Sequence, residues 1–306
     1  MSVDGNRQLQ QVSAARTPLS ANPEARWATH GRSSGVLDPD VAAHYELGLE
    51  HSRLFIDGRA RLEFVRTLEL LTRLLPRPPA RVLDVGGGTG VYALPLTELG
   101  YQVRVVEPIR SHIDDVETQA SEPDLSGLSA VLGDARDLPE NSDSYDAVLM
   151  LGPLYHLTER VDRVQAFREA ARVTRPGGVV IAAGISRFAS LIDGLKRQIL
   201  SDPLFRSIVE RDLQDGQHRN PDVTGHPEYF TTAYFHLPTE LSEEAIEAGL
   251  TEPQMYAVEG PSWIVENIDD LDNQLFAARA VEQEPSLMAA TSHFIVVGLA
   301  APAQQS

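Results

Sequence analysis

The sequence predicts an α/β protein with a mostly parallel sheet and helices on both faces. Three observations support this class. Short apolar runs alternate with helical segments from residue 81 onward, which is typical of strand–helix–strand units. A glycine-rich turn follows the first apolar run directly. Acidic side chains stand at or just after the ends of the first three runs, where parallel sheets bind their ligands.

Composition narrows the classes of function. The 306 residues suffice for one large domain or for a domain with a sizeable insertion. A formal net charge of -18 repels phosphate backbones, so we expect no nucleic-acid partner. The chain contains no cysteine, which excludes disulfides, thiolate catalysis and cysteine-ligated metals.

The amino-terminal residues MSVDGNRQLQQ are polar and lack the apolar core of a signal peptide. The longest strongly apolar run lies near residues 179–185 and is too short to cross a bilayer. We therefore expect a cytoplasmic protein without a membrane partner. The sequence leaves open whether it forms a homo-oligomer.

The first elements are an arm and a helical cap. Residues 1–37 are rich in Ser, Ala, Arg, Gln and Pro without periodicity, which predicts a flexible amino-terminal arm. Residues 38–78 predict a helical cap. Its apolar side chains recur every three or four residues, at Leu62, Val65, Leu68, Leu71 and Leu75, and a proline-rich stretch ends the helix.

Residues 79–186 predict the core of the sheet, with strands at Arg81–Val85, Gln102–Val106, Ser129–Leu132, Tyr145–Met150 and Gly178–Gly184. A helix is predicted over Asp162–Val173. Residues 187–252 mix charge, proline, glycine and aromatic side chains, which predicts a lid or substrate-binding insertion that ends in a helix over Thr239–Ala248. Residues 253–306 complete the core with strands at Gln254–Val258 and His293–Leu299.

The turn after the first strand reads Val82-Leu83-Asp84-Val85-Gly86-Gly87-Gly88-Thr89-Gly90. Glycine permits positive φ and a close approach of backbone to ligand, and the next helix offers free N–H groups. This arrangement suits a nucleotide-like ligand. The dinucleotide fingerprint would need glycine at the position of Val91, which counts against a nicotinamide dehydrogenase.

Three acids accompany this turn. Asp84 could bind the ligand, cap the next helix or orient the turn. Glu107 ends the second strand, where a carboxylate can accept hydrogen bonds from both hydroxyls of a ribose. Asp134 follows the third strand and could accept a hydrogen bond from an adenine amino group.

In order and spacing, the stretches VLDVGGGTG, VRVVEP, GDARDLP, YDAVLMLGPLYHL and RPGGVVIAAG resemble class I S-adenosylmethionine-dependent methyltransferases. The resemblance covers residues 80–185 and continues loosely to residue 299. It implies a seven-stranded Rossmann-like sheet of strand order 3-2-1-4-5-7-6, with the last strand antiparallel, and S-adenosyl-L-methionine as cofactor. It also implies which residues contact the cofactor. Its amino acid part would contact Gly86, Gly88 and Gly90, and its ribose would bind Glu107. Its adenine would bind Asp134 and the Ala135 N–H.

The helical cap offers two further candidate cofactor contacts. Tyr45 and Arg53 in the helical cap could close over the cofactor carboxylate, or lie on a solvated helix face.

The resemblance places the loop after the fourth strand, from Leu151 to His156, beside the transferred methyl group, which makes Leu151 a further candidate cofactor contact. Its GPLY stretch is similar to the [N/D/S]-P-P-[Y/F] motif of enzymes that methylate nucleobase amino groups, but Gly152 replaces the polar acceptor. That departure argues against a nucleic-acid substrate. His156 is a candidate general base or a residue that hydrogen-bonds the loop backbone. Tyr155 is interpreted as a pocket wall or hydrogen-bond donor.

Candidate substrate contacts follow the fifth strand. Arg187 could clamp a carboxylate or phosphate, or pair with an acid of the lid. The aromatic and imidazole side chains of His226, Tyr229, Tyr234 and His236 could line an apolar pocket, or pack the lid onto the sheet. The histidines of this region lack a metal-ligand spacing, so no metal is expected.

The resulting hypothesis is methyl transfer to an oxygen, nitrogen or carbon atom of a small metabolite, with secondary metabolism suggested by the resemblance. One alternative is a C-methyltransferase for an isoprenoid or other alkene, whose carbocation aromatic rings would stabilise. Another is a non-catalytic S-adenosylmethionine-binding regulator.

Overall fold

The computed structural model describes residues 39–41, 58–264 and 270–301, all of which belong to the unit Leu37–Ser306. The predicted arm and the candidate cofactor contacts Tyr45 and Arg53 lie outside these residues.

A seven-stranded sheet forms the centre of the described structure. The strands in chain order are β1 (Arg81–Val85), β2 (Gln102–Glu107), β3 (Leu128–Leu132), β4 (Tyr145–Met150), β5 (Thr174–Ile185), β6 (Gln217–His218), β7 (Ala233–Tyr234), β8 (Leu250–Ala257) and β9 (His293–Ala300). The large sheet has the order β3-β2-β1-β4-β5-β9-β8, and β6 and β7 form a separate antiparallel pair. Within the large sheet, β9 runs antiparallel to its neighbours β5 and β8. The predicted strand order is confirmed.

Helices cover both faces of this sheet. They are α1 (Gly58–Leu74), α2 (Ala93–Glu98), α3 (Arg110–Ala120), α4 (Pro153–His156), α5 (Arg160–Val173), α6 (Ala189–Arg197), α7 (Pro203–Asp215), α8 (Pro238–Glu247) and α9 (Leu271–Ala280). None of the described helices is long and apolar enough to cross a membrane.

The core consists of two apolar layers because successive strand side chains point to opposite faces. On one face Leu83 and Val148 pack with Phe167 of α5. On the other face Val82 and Leu149 lie with the buried leucines of α1. Since β1 pairs in parallel with both β2 and β4, the carboxyl ends of these three strands meet at one edge of the sheet.

Several boundaries differ from the sequence prediction. β5 begins at Thr174, four residues early, because a register shift lets Thr174 pair with Tyr145. β8 begins at Leu250 and contains a similar shift. The predicted lid, residues 187–252, contains two helices that periodicity did not indicate, α6 and α7.

Candidate active site

The glycine turn joins β1 to α2, and its three predicted glycines have different neighbours. Gly86, Gly88 and Gly90 all have positive φ, at 68°, 56° and 89°, which L side chains rarely adopt. A Cβ on Gly86 would lie 2.9 Å from Pro153 Cδ, whereas a Cβ on Gly88 would meet no described atom within 4 Å. The missing side chain of Gly86 therefore leaves room for the loop after β4. The backbone of Gly88 faces open space.

Two buried acids lie beneath this turn. Glu107 accepts hydrogen bonds from the Gly88 N–H (3.1 Å) and the Ile109 N–H (3.3 Å), and it lies 3.2 Å from His112 Nδ1. Asp84 is almost completely buried, and its Oδ2 has no hydrogen-bond partner among the described residues. Burial, reinforced by the neighbouring Glu107 charge, raises the pKa of Asp84 to about 7.

Asp134 follows β3, as predicted, but its carboxylate is already engaged by a neighbour. Arg136 donates from Nε to Oδ1 (2.9 Å) and from Nη2 to Oδ2 (2.6 Å). Burial opposes ionisation of Asp134, yet these bonds hold its pKa below the usual value. Arg136 also reaches Asp162 on α5 at 3.2 Å. Ala135 packs against the apolar layer beside α5. An adenine amino group would therefore meet an ionised, fixed acceptor.

The loop after β4 carries the two predicted catalytic candidates. Leu151 packs with the apolar layer that contains α1, and Gly152 precedes α4. A Cβ on Gly152 would lie 3.2 Å from Gly86 O and 3.6 Å from the Tyr155 hydroxyl oxygen. Tyr155 thus has its hydroxyl beside the glycine turn. The His156 ring packs edge-on against Tyr155, with centroids 4.7 Å apart.

Phe230 of the predicted lid completes an aromatic cluster with these two residues. Its ring centroid lies 6.4 Å from that of Tyr155 and 5.8 Å from that of His156. Phe230 has φ 68° and ψ -159°, a conformation normally confined to glycine. The side-chain amide of Asn220 donates to the carbonyls of His226 (2.7 Å) and Phe230 (2.8 Å), which fixes this strained segment.

Arg187, a predicted substrate clamp, is buried and occupied by protein groups. Its guanidinium pairs with Glu240 of α8 at 2.8 Å, donates to the Phe235 carbonyl at 2.8 Å, and reaches the Tyr234 hydroxyl at 3.2 Å. The sequence left open whether Arg187 binds a substrate or pairs with an acid of the predicted lid. The structure contains the ion pair with that acid. A role in substrate binding stays a prediction.

Tyr234 and His236 belong to a second buried network that ties the lid to the core. Arg163 of α5 stacks 3.7 Å from the Tyr234 ring centroid and pairs with Glu244 of α8 at 2.7 Å. His236 Nε2 lies 3.4 Å from the same carboxylate, and burial lowers the pKa of His236 despite that acid. Arg163 Nη1 also donates to the carbonyls of residues 157 and 158, immediately after His156.

His226 and Tyr229 contact each other within the predicted lid, Tyr229 being buried and the His226 side chain exposed. Their rings stack at 4.9 Å, and His226 contacts Glu228 at 3.2 Å. Tyr229 packs on Phe205 and donates to Asp202, at the start of α7, at 3.2 Å. These contacts join parts of the lid to each other. A substrate role for the pair stays a prediction.

Comparisons with known proteins agree with this geometry. Residues 83–182 match the family described as a methyltransferase domain. An uncharacterized methyltransferase of Mycobacterium bovis is 39% identical over 110 residues, which are 36% of this chain and 42% of that protein. A ubiquinone biosynthesis O-methyltransferase of Methylocella silvestris is 30% identical over 174 residues, 56% of this chain and 66% of that protein.

A crystal structure of a Thermotoga maritima S-adenosylmethionine-dependent methyltransferase shares the fold. It has a TM-score of 0.55 and 20% identity and covers 85% of this chain and 99% of that one. Residues 83–182 match a methyltransferase domain, and the described sheet has the fold of the class I S-adenosylmethionine-dependent methyltransferases. The match spans less than half of the Mycobacterium protein.

The cofactor of this methyltransferase family fits the residues at the carboxyl edge. Gly88 lets a ligand approach the backbone where a side chain would stand. Glu107 offers a buried acceptor at the end of β2, and Asp134 offers an ionised one after β3. The open face of Gly88 and the orphan oxygen of Asp84 both indicate a polar ligand beside the turn.

Sequence reasoning missed three residues that contact side chains of the candidate site. Arg136 stands two positions after Asp134, and that spacing could have indicated the ion pair. Arg163 stands in a helix whose apolar periodicity gives no sign that a guanidinium is buried there. Phe230 could not be singled out from the sequence, since its backbone conformation has no signature there.

Proposed function

We propose that the protein transfers the methyl group of S-adenosylmethionine to an oxygen, nitrogen or carbon atom of a small molecule. One observation carries the proposal. Tyr155 and His156, which follow β4 beside the glycine turn, contact Phe230 of the lid. On this proposal, these aromatic and imidazole groups would lie between the expected cofactor site and the segment that would hold a second substrate.

The chemistry requires little dedicated machinery. A methyl group on a sulfonium is already a strong electrophile, so the protein must align the acceptor, exclude water and remove one proton. The Tyr155 and Phe230 rings suit the first two tasks, because they are rigid and apolar. His156 suits the third, since imidazole accepts protons near neutral pH.

Strain at Phe230 supports a functional position for its ring. A non-glycine residue in this backbone region costs about 1–3 kcal/mol and persists only where neighbours enforce it. Asn220 supplies that enforcement through two hydrogen bonds from one buried amide. The lid therefore holds Phe230 against His156 although a relaxed backbone would be more stable.

A small-molecule acceptor also agrees with the similarity to a ubiquinone biosynthesis O-methyltransferase. Placement in secondary metabolism rests on the family resemblance alone. The aromatic cluster would equally serve a C-methyltransferase of isoprenoid or alkene substrates, because ring faces stabilise a carbocation.

The test is incubation with methyl-labelled S-adenosylmethionine and the small-molecule fraction of a source-organism extract, followed by identification of the labelled product. We expect label in a compound of low molecular mass. Phe230→Ala should lower turnover on it by at least tenfold, with unchanged affinity for S-adenosylhomocysteine. Phe276→Ala is the matched control, because Phe276 is an exposed phenylalanine of α9. Equal losses in both variants would contradict a role for Phe230 in the acceptor site.

The same experiment distinguishes the regulator alternative. If the protein binds the cofactor tightly but transfers no label to any fraction, non-catalytic binding is favoured. A labelled product whose formation requires an unmutated Phe230 excludes that alternative.

A further inference from the structure

Three metal-ligating side chains meet at the carboxyl edge of the sheet, two strands beyond β4 and away from the glycine turn. Glu63 lies on α1, Glu259 follows β8 and His293 begins β9. Their ligand atoms all lie within 4.8 Å of one another. His293 Nδ1 is 2.7 Å from Glu259 Oε1 and 3.9 Å from Glu63 Oε2. We name this group the His293 cluster.

Glu259 is oriented by bonds that a metal-binding carboxylate needs. Its Oε2 accepts hydrogen bonds from the Thr291 hydroxyl (2.8 Å) and the His293 backbone N–H (2.9 Å). These two bonds fix the carboxylate so that Oε1 faces the imidazole. Outer contacts of this kind hold the ligands of protein metal sites in place.

The charge of the cluster also suits a cation. Two carboxylates, that of Glu259 being buried, face a single imidazole, and an imidazole binds metal in its neutral form. Arg66, one helical turn after Glu63, makes charged contacts with Glu69 at 3.0 Å and Glu282 at 2.8 Å.

We propose that the His293 cluster binds one divalent transition-metal ion of the Zn²⁺ or Mn²⁺ type. Imidazole nitrogen suits Zn²⁺, carboxylate oxygen suits Mn²⁺, and one nitrogen with two oxygens accommodates both. Metal–ligand bonds of about 2.0–2.2 Å place neighbouring ligand atoms roughly 3–3.5 Å apart. The spacings of 2.7 and 3.9 Å bracket that range, so small side-chain movements would complete the site.

The position of the cluster connects it to the acceptor side of the molecule. His293 pairs in register with Ile185, the last residue of β5. Ile185 in turn shares an apolar cluster with Tyr155 and Phe230. A cation held by His293 would lie one strand from the proposed acceptor site, where it could attract an anionic group of a substrate.

Direct metal binding tests the inference without any knowledge of the acceptor. The purified full chain is stripped with chelator, dialysed against Zn²⁺ or Mn²⁺, and its metal content is measured by mass spectrometry, with electron paramagnetic resonance for Mn²⁺. We expect about one equivalent of metal. His293→Asn and Glu259→Gln should each weaken binding by at least tenfold. Glu63→Gln, on a partly exposed side chain, serves if the buried Glu259 variant does not fold.

His226→Asn is the matched control, because His226 and Glu228 form an exposed imidazole–carboxylate pair at 3.2 Å. Its metal content should equal that of the wild type. S-adenosylhomocysteine affinity of each variant, measured without metal, confirms that the cofactor site is folded. Failure of the unmutated protein to bind either ion, or an equal loss in His226→Asn, would overturn the proposal and leave a hydrogen-bonded ion pair between the ends of β8 and β9.

Discussion

Replacement of Glu107 by glutamine isolates the proposed ribose contact. The carboxylate has about four acceptor positions. The Gly88 N–H, the Ile109 N–H and His112 use three of them. One ribose hydroxyl can therefore bind directly, and a second must replace one of these donors, of which the His112 side chain is the most movable.

The expected loss of binding free energy follows from the single acceptor position that is left free on Glu107. A hydrogen bond to a charged acceptor contributes about 1.5–3 kcal/mol. The second ribose hydroxyl only replaces a donor that already binds Glu107, so it adds little to the binding free energy. Glu107→Gln should thus weaken binding of S-adenosylhomocysteine by about 1.5–3 kcal/mol, or roughly 10- to 150-fold in Kd.

Isothermal titration calorimetry measures this Kd directly. Glu117→Gln is the matched control, because it removes the same charge from an exposed position on α3. The control should bind like the wild type, and NAD should bind to neither protein. A Glu107→Gln protein that is folded and keeps wild-type affinity would refute the ribose assignment.

Three further predictions concern the glycine turn, the buried acid and the lid network. Gly88→Ala should abolish S-adenosylhomocysteine binding and lower the melting temperature only slightly. Gly86→Ala should lower the melting temperature more, because its Cβ would approach Pro153 to 2.9 Å. Similar melting temperatures of the two variants would contradict this prediction. The folded pKa of Asp84, about 7, exceeds its ordinary 3.8, so the folded state retains a proton that the unfolded state has lost. Wild-type stability relative to Asp84→Asn should therefore fall by about 2–3 kcal/mol from pH 5 to pH 8 in denaturant titrations, and a flat difference would refute the raised pKa. Arg163→Met should cost about 3–5 kcal/mol of unfolding free energy because Glu244 is left buried and unpaired, and a second change, Glu244→Leu, should recover part of it.

The sheet could be predicted because its strands are buried on both faces. Leu83, Val148 and Ile181 are buried in strands made mostly of apolar residues, and helices or turns separate those strands. Strand positions therefore agreed with the structure within a few residues. The extensions of β5 and β8 were missed because a register shift depends on the partner strand, which one segment does not encode.

Two helices of the predicted lid, α6 and α7, were missed for a different reason. Their apolar residues are diluted by charges, so periodicity gave little signal. The end signals of α7 were nevertheless present: Asp202 accepts from the N–H groups of Leu204 and Phe205, Pro203 follows it, and Gly216 ends the helix with φ 77°. Capping residues could have predicted this helix where periodicity failed.

The glycines and acids of the candidate site could be placed because they depend on local sequence. Glu107 lies at the end of β2, where strand and turn alone determine its position. Arg187 and Asp134 show the limit of that reasoning. Each was assigned a ligand from its place after a strand, yet each charge meets a protein partner, Glu240 or Arg136. Such a partner can come from another element, as Glu240 does from α8.

The Tyr-His pair after β4 shows how local sequence and tertiary contacts together determine the candidate site. The sequence places the pair at the carboxyl edge, because Gly152 and Pro153 end the strand and start a single helical turn. Tyr155 and His156 face Phe230, which lies 75 residues after Tyr155 in the sequence. Asn220 holds Phe230 in a glycine-like conformation. A strained residue persists only where the surrounding structure enforces it, and such residues cluster at functional sites. The buried pair of Arg163 and Glu244 strengthens this reading, because the same guanidinium binds the carbonyls that follow His156 and stacks on Tyr234 of the lid. The loop and the lid are thus fixed against each other before any ligand binds, as expected for an acceptor site that works by alignment.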